Sequence, residues 1–301
     1  ALGEAWSQKG NRAKAVQQLE KALRLAPNGP GADKWKSLLQ MNRYWLLIQQ
    51  GDDALKAKNL DLAQQKYLQA RNQDSTDSYA PLGLGDVAVA RNDDTTAERY
   101  YRQALRMDKG NSNAARGLAN IYRRQSLQKA QAFIQTLSAR LRRSIDDIER
   151  SLRDEQLSEQ ATALEAKGQW LAASAIQRQR LAMDPQSVWV TYRLAKDLDA
   201  AGERREASAL FTDLARRHPG DPEQVYAVGL WLSSIDQDQA AQAHLNTLPQ
   251  DKWNDNLRAL SARLARNQIM AEANRLRDSG HEPQAIALLV QQPENDDITL
   301  T

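Results

Sequence analysis

Residues 84–104, LGDVAVARNDDTTAERYYRQA, contain a pattern of small and large side chains that recurs along the chain. The glycine, two of the alanines and one tyrosine each have an equivalent one regular step earlier: Gly51 and Gly85, Ala63 and Ala97, Ala70 and Ala104, Tyr67 and Tyr101. The same step relates Ala173 to Ala207 and Pro185 to Pro219. A constant step of about 34 residues is typical of proteins in which each repeat is one pair of packed helices.

The residue types at this step resemble the tetratricopeptide pattern, in which L-G-x-x-Y on a first helix is followed by A-x-x-x-F and a proline on a second. Gly or Ala lies where two helices cross closely, and proline ends the second helix. The resemblance implies an all-α fold, a superhelical solenoid of helix-turn-helix repeats. Repeats begin near positions 44, 78, 112, 154, 188, 222 and 266, after a partial repeat over about 1–29.

The repeat spacing is longer than the regular step at three places. Equivalent alanines of successive repeats are farther apart there, namely Ala15 and Ala63, Ala130 and Ala173, and Ala241 and Ala285. The added stretches carry apolar side chains at helical spacing with few helix breakers. The second, fifth and eighth repeats are therefore predicted to have either a greatly lengthened first helix or an extra helix in front of it. The fifth also has Gln177 where a large apolar residue is expected.

These insertions suggest how the chain is organised. We predict N-terminal repeats over 1–140, an inserted helix over 141–153, and further repeats over 154–301 with another inserted helix near 254–265. Both chain ends interrupt a repeat, and residues 298–301 look like the start of a further one. Because a solenoid needs polar capping repeats at its ends, we expect a fragment of a longer protein.

The middle insertion is also the predicted hinge. Ser144 and Asp147 have the spacing of a capping box that would begin its helix. An intruding helix interrupts the constant rotation from repeat to repeat, so the chain is expected to bend there, with Ile145, Ile148 and Leu152 as the buried face. A rigid, longer helix that only packs against its neighbours is the alternative.

Composition excludes several classes of protein. The net charge of +3 is too small to indicate a nucleic-acid partner. No run approaches ~18 apolar residues, so no membrane-spanning segment is expected. The absence of cysteine excludes disulfides and thiolate metal sites.

Motifs for catalysis are lacking as well. The three histidines, His218, His244 and His281, lie in different repeats, and no H-E-x-x-H is present. Gly83-Leu84-Gly85 lacks the third glycine of a dinucleotide loop and suits a helix crossing instead. We therefore expect no enzyme activity, no cofactor and no metal.

A binding groove is the remaining candidate for function. In tetratricopeptide-repeat proteins the first helices line the inside of the superhelix, and the second, fifth, ninth, twelfth and thirteenth positions of each repeat face the groove. The arginines and asparagines among these positions suit a carboxylate or an acidic peptide, and the aromatic rings suit a sugar or a hydrophobic side chain. A solvated polar groove, with the aromatic rings packed on the neighbouring repeat, is the alternative. The predicted groove residues are Tyr79, Asp86, Asn113, Arg116, Asn120, Arg123, Trp189, Tyr192 and Tyr226.

Six segments resemble the repeat region of the bacterial cellulose synthase operon protein C family, and the resemblance includes the inserted helices. They are 42–46 (NRYWL), 77–80 (DSYA), 116–123 (RGLANIYR), 143–152 (RSIDDIERSL), 187–194 (SVWVTYRL) and 221–227 (DPEQVYA). The resemblance implies a periplasmic domain of a protein anchored in the outer membrane by a β-barrel, through which the glucan is exported.

The function implied by this resemblance is a non-catalytic scaffold for cellulose biosynthesis and polysaccharide export. Such a scaffold would bind protein partners of the inner-membrane synthase complex and hold them in line with the outer-membrane pore. The alternative is a module that binds the cellulose chain directly and guides it to the pore.

Overall fold

The structure, a computed structural model, describes residues 2–217 and 219–292. Every regular element in these ranges is a helix. Ala1, His218 and the expected repeat start at residues 298–301 lie outside the described residues. The chain forms two compact units, Ala1–Arg153 and Asp154–Thr301.

The first unit contains pairs of antiparallel helices joined by short turns. The helices are α1 (Leu2–Gln8), α2 (Arg12–Leu25), α3 (Ala32–Lys56), α4 (Leu60–Gln73), α5 (Tyr79–Ala90), α6 (Asp94–Met107), α7 (Ser112–Gln125), α8 (Leu127–Gln135) and α9 (Ala139–Ser144). The next helix, α10 (Asp146–Ala166), contains the boundary between the two units.

The second unit also consists of helix pairs joined by short turns. Its helices are α11 (Trp170–Met183), α12 (Val188–Ala200), α13 (Arg204–Arg217), α14 (Pro222–Ser234), α15 (Asp238–Leu245), α16 (Asp255–Asp278) and α17 (Glu282–Val290), with one turn of 3-10 helix at Gln250–Lys252. Most of the helix pairs in close contact are neighbours in the chain, such as α11 with α12 and α14 with α15.

Glycines allow the helices of consecutive repeats to approach each other. The ring of Tyr67 on α4 lies between α3 and α5: a Cβ atom added to Gly51 would be 2.6 Å from Tyr67 Cε1, and one added to Gly83 would be 2.4 Å from it. Both distances are too short for real contacts, so the positions require glycine. This close approach explains the glycines in the repeated pattern.

The three insertions have different structures. In the second and eighth repeats the first helix is lengthened: α3 runs unbroken for 25 residues and α16 for 24. Neither helix contains a proline that would interrupt it. Residues 254–265 are therefore not a helix of their own, since almost all of them form the first half of α16.

The middle insertion is interrupted at Ile145, which separates α9 from α10. Residues 141–153 are thus the end of α9 and the first turns of α10 rather than one inserted helix. The predicted capping box is wrong, because Ser144 Oγ donates to the carbonyl of Leu141 at 2.6 Å instead of capping α10. Ile145, Ile148 and Leu152 are buried in a core that also includes α7 and α8. The hinge stays a prediction.

The fifth repeat replaces an aromatic residue by a buried polar network. Gln177 on α11 is fully buried; its amide nitrogen donates to Glu165 and its amide oxygen accepts from Arg180. The Arg180 guanidinium also binds the carboxylate of Asp154 through two hydrogen bonds of 2.8 and 3.0 Å. Gln177 is tolerated because each polar group of its amide has a partner.

Candidate functional site

The predicted groove residues of the second unit form an aromatic cluster. The Trp189 ring on α12 lies 5.7 Å from the Tyr192 ring and 5.9 Å from the Tyr226 ring of α14, measured between ring centroids. The planes meet at 72° and 69°, which is the edge-to-face arrangement that aromatic pairs favour. Trp189 is 37% exposed and is the outermost of the three.

The aromatic cluster packs on the hydrophobic core through Tyr192. Tyr192 also meets Phe211 of α13 edge to face at 5.7 Å. Phe211 in turn stacks on Trp231 of α14 at 4.2 Å with an interplanar angle of 15°. Tyr192 therefore has a structural role as well as a surface position, and Trp189 packs on Tyr226 of the next repeat.

Helix caps place the three rings at their positions. Ser187 Oγ accepts from the amide of Val190 and begins α12, so Trp189 lies in its first turn. Asp221 accepts from the amide of Glu223 and begins α14, with Pro222 at the first helical position. The caps thus determine where each helix begins, and helical periodicity then determines which residues share a face.

The cluster carries polar groups beside its rings. Burial raises the pKa of the Tyr192 hydroxyl, the neighbouring Tyr226 hydroxyl raises it further, and Arg263 of α16 opposes both effects. The Tyr192 hydroxyl is therefore neutral at physiological pH. A ligand would meet two phenol groups beside the indole of Trp189.

The predicted arginine cluster of the first unit has a different environment from the one expected. The guanidinium of Arg116 binds both carboxylate oxygens of Asp147 at 2.6 and 2.9 Å. Its hydrogen bonds lower the pKa of the Asp147 carboxyl. Arg123 donates to Ser151 Oγ at 3.2 Å. The bidentate fork predicted for a partner's carboxylate is therefore filled by a carboxylate of this chain.

The other predicted residues of the first unit are dispersed. Asp86 accepts a hydrogen bond of 2.6 Å from the Tyr101 hydroxyl and supports packing rather than facing a free groove. Asn113 is exposed and Asn120 half-buried. Tyr79 is 49% exposed, and its ring lies 5.1 Å from that of Trp45.

Trp45 is a half-buried residue that sequence reasoning missed. It lies at the second position of the repeat that begins near 44, which is the position that Tyr79 and Trp189 occupy in theirs. The same count would have found it. Its ring also packs against Tyr44 at 5.2 Å.

Metal sites and membrane-spanning helices are two other features that could indicate a function. Within 2–217 and 219–292, no group of three or more His, Asp or Glu side chains could hold a metal ion. Over the same ranges no helix combines the length and the apolar character needed to cross a bilayer.

A family model for the tetratricopeptide repeat matches residues 1–28. Together with the regular repeat step and the glycine-mediated helix crossings, this match decides the fold. The chain has the tetratricopeptide-repeat fold. A crystal structure of the C-terminal part of a tetratricopeptide-repeat protein from Cytophaga hutchinsonii is similar with a TM-score of 0.46 and 12% identity, over 86% of this chain and 97% of that one.

The tetratricopeptide chain also resembles longer bacterial proteins over its whole length. It is 61% identical over 301 residues to cellulose synthase operon protein C of Escherichia coli K12, covering 100% of this chain and 26% of that protein. The Salmonella typhimurium protein of the same name is 62% identical over 284 residues, which are 94% of this chain and 24% of that protein. The chain thus spans about a quarter of the length of these relatives.

Proposed function

We propose that this chain is part of a non-catalytic periplasmic scaffold for bacterial cellulose synthesis and export. In this proposal it binds protein partners of the inner-membrane synthase complex and links them to the outer-membrane pore. The observation that carries it is the 61% identity to cellulose synthase operon protein C over the full chain. The periplasmic location and the protein's outer-membrane anchor belong to the same proposal.

The aromatic cluster of Trp189, Tyr192 and Tyr226 is the proposed contact surface. Aromatic side chains anchored in a core are the residues that dominate binding energy at protein interfaces. Tyr192 is held by Phe211, so little side-chain freedom is lost on binding. Repeat proteins use such extended surfaces for binding partners.

Calorimetric titration of the purified chain against the periplasmic domains of the synthase subunits tests this function. Trp189→Ala is expected to weaken binding roughly tenfold or more, as for a hot-spot residue. Leu171→Ala removes another exposed apolar side chain of the second unit and serves as the control. Absence of binding to every subunit, or equal affinities for Trp189→Ala and wild type, would contradict the proposal.

Direct binding of cellulose by the same cluster is the second candidate, favoured by the phenol groups beside the Trp189 indole. The Trp189 ring is steeply inclined to both tyrosine rings, so the cluster offers a sugar no common flat face for stacking, which is why the protein partner comes first. Titration with a cello-oligosaccharide, followed by tryptophan fluorescence, tests this candidate. A change that disappears in Trp189→Phe would support glucan binding, and an unchanged spectrum would reject it.

The non-catalytic part of the proposal has its own test. Incubation of the chain with cellulose should release no reducing sugar above that of a blank. A protein-dependent release, lost on heat denaturation, would show an enzyme instead.

A further inference from the structure

A cavity of about 670 Å³ opens between α6, α7 and α8 in the first unit. We refer to it as the α6–α8 cavity. Its floor is apolar: Leu118 of α7 is 1% exposed, and Leu105 of α6 and Phe133 of α8 are half-buried beside it. Its volume lies in the range of ~300–1,000 Å³ that is usual for ligand sites. None of the predicted groove residues lines it.

The rim of the cavity is basic. Arg102, Arg106, Lys109 and Lys129 line it, and no lining residue is acidic. Arg102 is paired with Glu98 at 2.9 Å. Arg106 and Lys109 form no ion pair with any carboxylate in the part of the chain that the structure describes. Two of the four cations are therefore available to a ligand.

Tyr122 of α7 orients the remaining cations. Its hydroxyl accepts from Arg102 Nη2 at 2.7 Å and donates to Glu98 at 2.8 Å. Lys129 Nζ lies 4.8 Å from the centre of the same ring, within the distance of a cation–π contact. Phe133 packs edge to face on the ring at 5.2 Å. Phe133 of the floor and two of the rim cations, Arg102 and Lys129, are thus held by one buried side chain before any ligand binds.

We propose that the α6–α8 cavity binds an acidic peptide segment of a partner protein. One hydrophobic side chain of the peptide would contact Leu118 and Phe133, and flanking carboxylates would pair with Arg106 and Lys109. Charge complementarity selects an anionic partner, and the buried floor selects one that can insert a side chain. A membrane surface fits less well, because insertion into lipid needs apolar residues that protrude and Leu118 lies at the base of a cavity.

This proposal is independent of the aromatic cluster, which belongs to the other unit, so either can fail without the other. Fluorescence anisotropy with the full chain is the test. The probe is a labelled peptide, Gly-Asp-Glu-Phe-Asp-Glu-Gly, and its partner peptide has Asn and Gln in place of Asp and Glu. The acidic peptide is expected to bind roughly tenfold or more tightly than the amide peptide, and added salt should weaken its binding.

Variants of the rim make the assay specific to this cavity. The double variant Arg106→Gln with Lys109→Gln is expected to lower affinity for the acidic peptide by roughly tenfold. The matched control is Lys56→Gln with Arg99→Gln, which removes two exposed cations of the same unit that do not line the cavity. Circular dichroism spectra should be the same for both variants and wild type.

Three results would overturn the proposal. The first is equal binding of the two peptides, and the second is equal affinity of the Arg106/Lys109 variant and its control. The third is binding to phosphatidylglycerol vesicles that the rim variant loses while the acidic peptide fails to bind, which would assign the cavity to a membrane.

Discussion

At the scale of single residues, Tyr67 and Tyr101 show how one contact is repeated along the chain. The ring of Tyr101 lies between Gly85 of α5 and Gly117 of α7, as Tyr67 lies between its own two glycines. Each tyrosine hydroxyl donates at 2.6 Å to an aspartate of the preceding first helix, Asp52 or Asp86. The residues of this contact recur at the regular repeat step, so sequence periodicity and packing have the same cause.

Gly85→Ala tests this packing. The added Cβ would be 2.5 Å from Tyr101 Cε1, and a buried ring has little room to move. We expect the free energy of unfolding to fall by about 1–3 kcal/mol, as for other overpacked cores. Urea denaturation measures the change. Gly110→Ala, in the turn between α6 and α7, is the control, and equal effects of the two variants would argue against the packing explanation.

Asp197 of α12 makes stability depend on pH. The residue is 4% exposed, and its Oδ2 atom has no hydrogen-bond partner in the described residues. Burial, with a further contribution from the charge of Glu165, raises the pKa of this carboxyl to about 6, while Arg193 opposes the rise. Between the two pKa values, the Asp197 carboxyl of the native state therefore holds a proton that the unfolded chain has already lost.

Because the folded pKa is the higher one, ionisation of Asp197 costs stability as pH rises through about 4 to 6. Between about pH 4.5 and about pH 7 its contribution should fall on the order of 1–2 kcal/mol. Asp197→Asn lacks this change. Urea unfolding of both proteins at the two pH values measures it. A difference between variant and wild type that is the same at both pH values would show that Asp197 does not titrate in this range.

At the scale of elements, the second helices differ in how they begin. Asn59 accepts from the amide of Leu62 to begin α4, and Asp93 accepts from that of Thr96 to begin α6. Gln169 precedes α11 with a similar backbone, φ −86° and ψ 61°, but makes no side-chain cap. A glutamine side chain is too long to be a favoured N-cap residue.

Gln169→Asp should therefore stabilise the protein. The shorter carboxylate is expected to accept from an amide of the first turn and to raise the free energy of unfolding by about 0.5–2 kcal/mol. Gln169→Ala, which has no acceptor, should give no such gain. Thermal or urea unfolding distinguishes them. An alanine variant as stable as the aspartate variant would mean that capping is not the cause.

The beginning of α10 is held to α7 by Arg116 and Asp147. Since Arg116 keeps the pKa of Asp147 below its usual range, Arg116→Gln should raise that pKa. Both side chains are partly exposed, so the effect on stability should stay within about 1 kcal/mol. The contribution is present above the ordinary range of Asp and is lost as pH falls. Carboxyl NMR titration measures the pKa, with Arg124→Gln, whose partner is Asp94, expected to leave Asp147 unchanged.

At the scale of the whole molecule, each hydrophobic core of the described residues is built from helices that are close together in the sequence. Buried side chains form two clusters within each unit, made from helices that are close in the chain. In a solenoid each repeat is stabilised by itself and its nearest neighbours. The effect of a core substitution should therefore decline with distance along the sequence.

Hydrogen exchange of Gly85→Ala examines this locality. Loss of protection is expected in α5, α6 and α7, which contact the Tyr101 ring, and no change is expected in α14 to α16. Wild-type protein under the same conditions provides the reference. Equal loss of protection in α14 to α16 would show cooperative unfolding of the whole chain and contradict a nearest-neighbour account.

The candidate sites show where sequence reasoning stopped. Position counting predicted that Trp189, Tyr192 and Tyr226 share one side, and their rings do lie together, because a helix presents the same positions of every repeat to the same side. It also selected Arg116, but counting positions within a repeat could not predict that this arginine pairs with Asp147. That carboxylate lies 31 positions later in the chain and occupies the guanidinium group of Arg116. The α6–α8 cavity was missed because the four cations that line it come from α6, from the turn after it and from α8, and form no motif.

The sequence alone determined the tetratricopeptide fold, the length of the repeat and the places where spacing is interrupted. These features depend on helical periodicity and on small residues at crossings, both of which are local in the chain. Only the tertiary structure decided which alternative each insertion adopts, which arginines are already paired, and that an apolar cavity has a basic rim. Those outcomes depend on side chains from successive repeats that meet only after helices pack, and the energies of such contacts are not encoded in spacing.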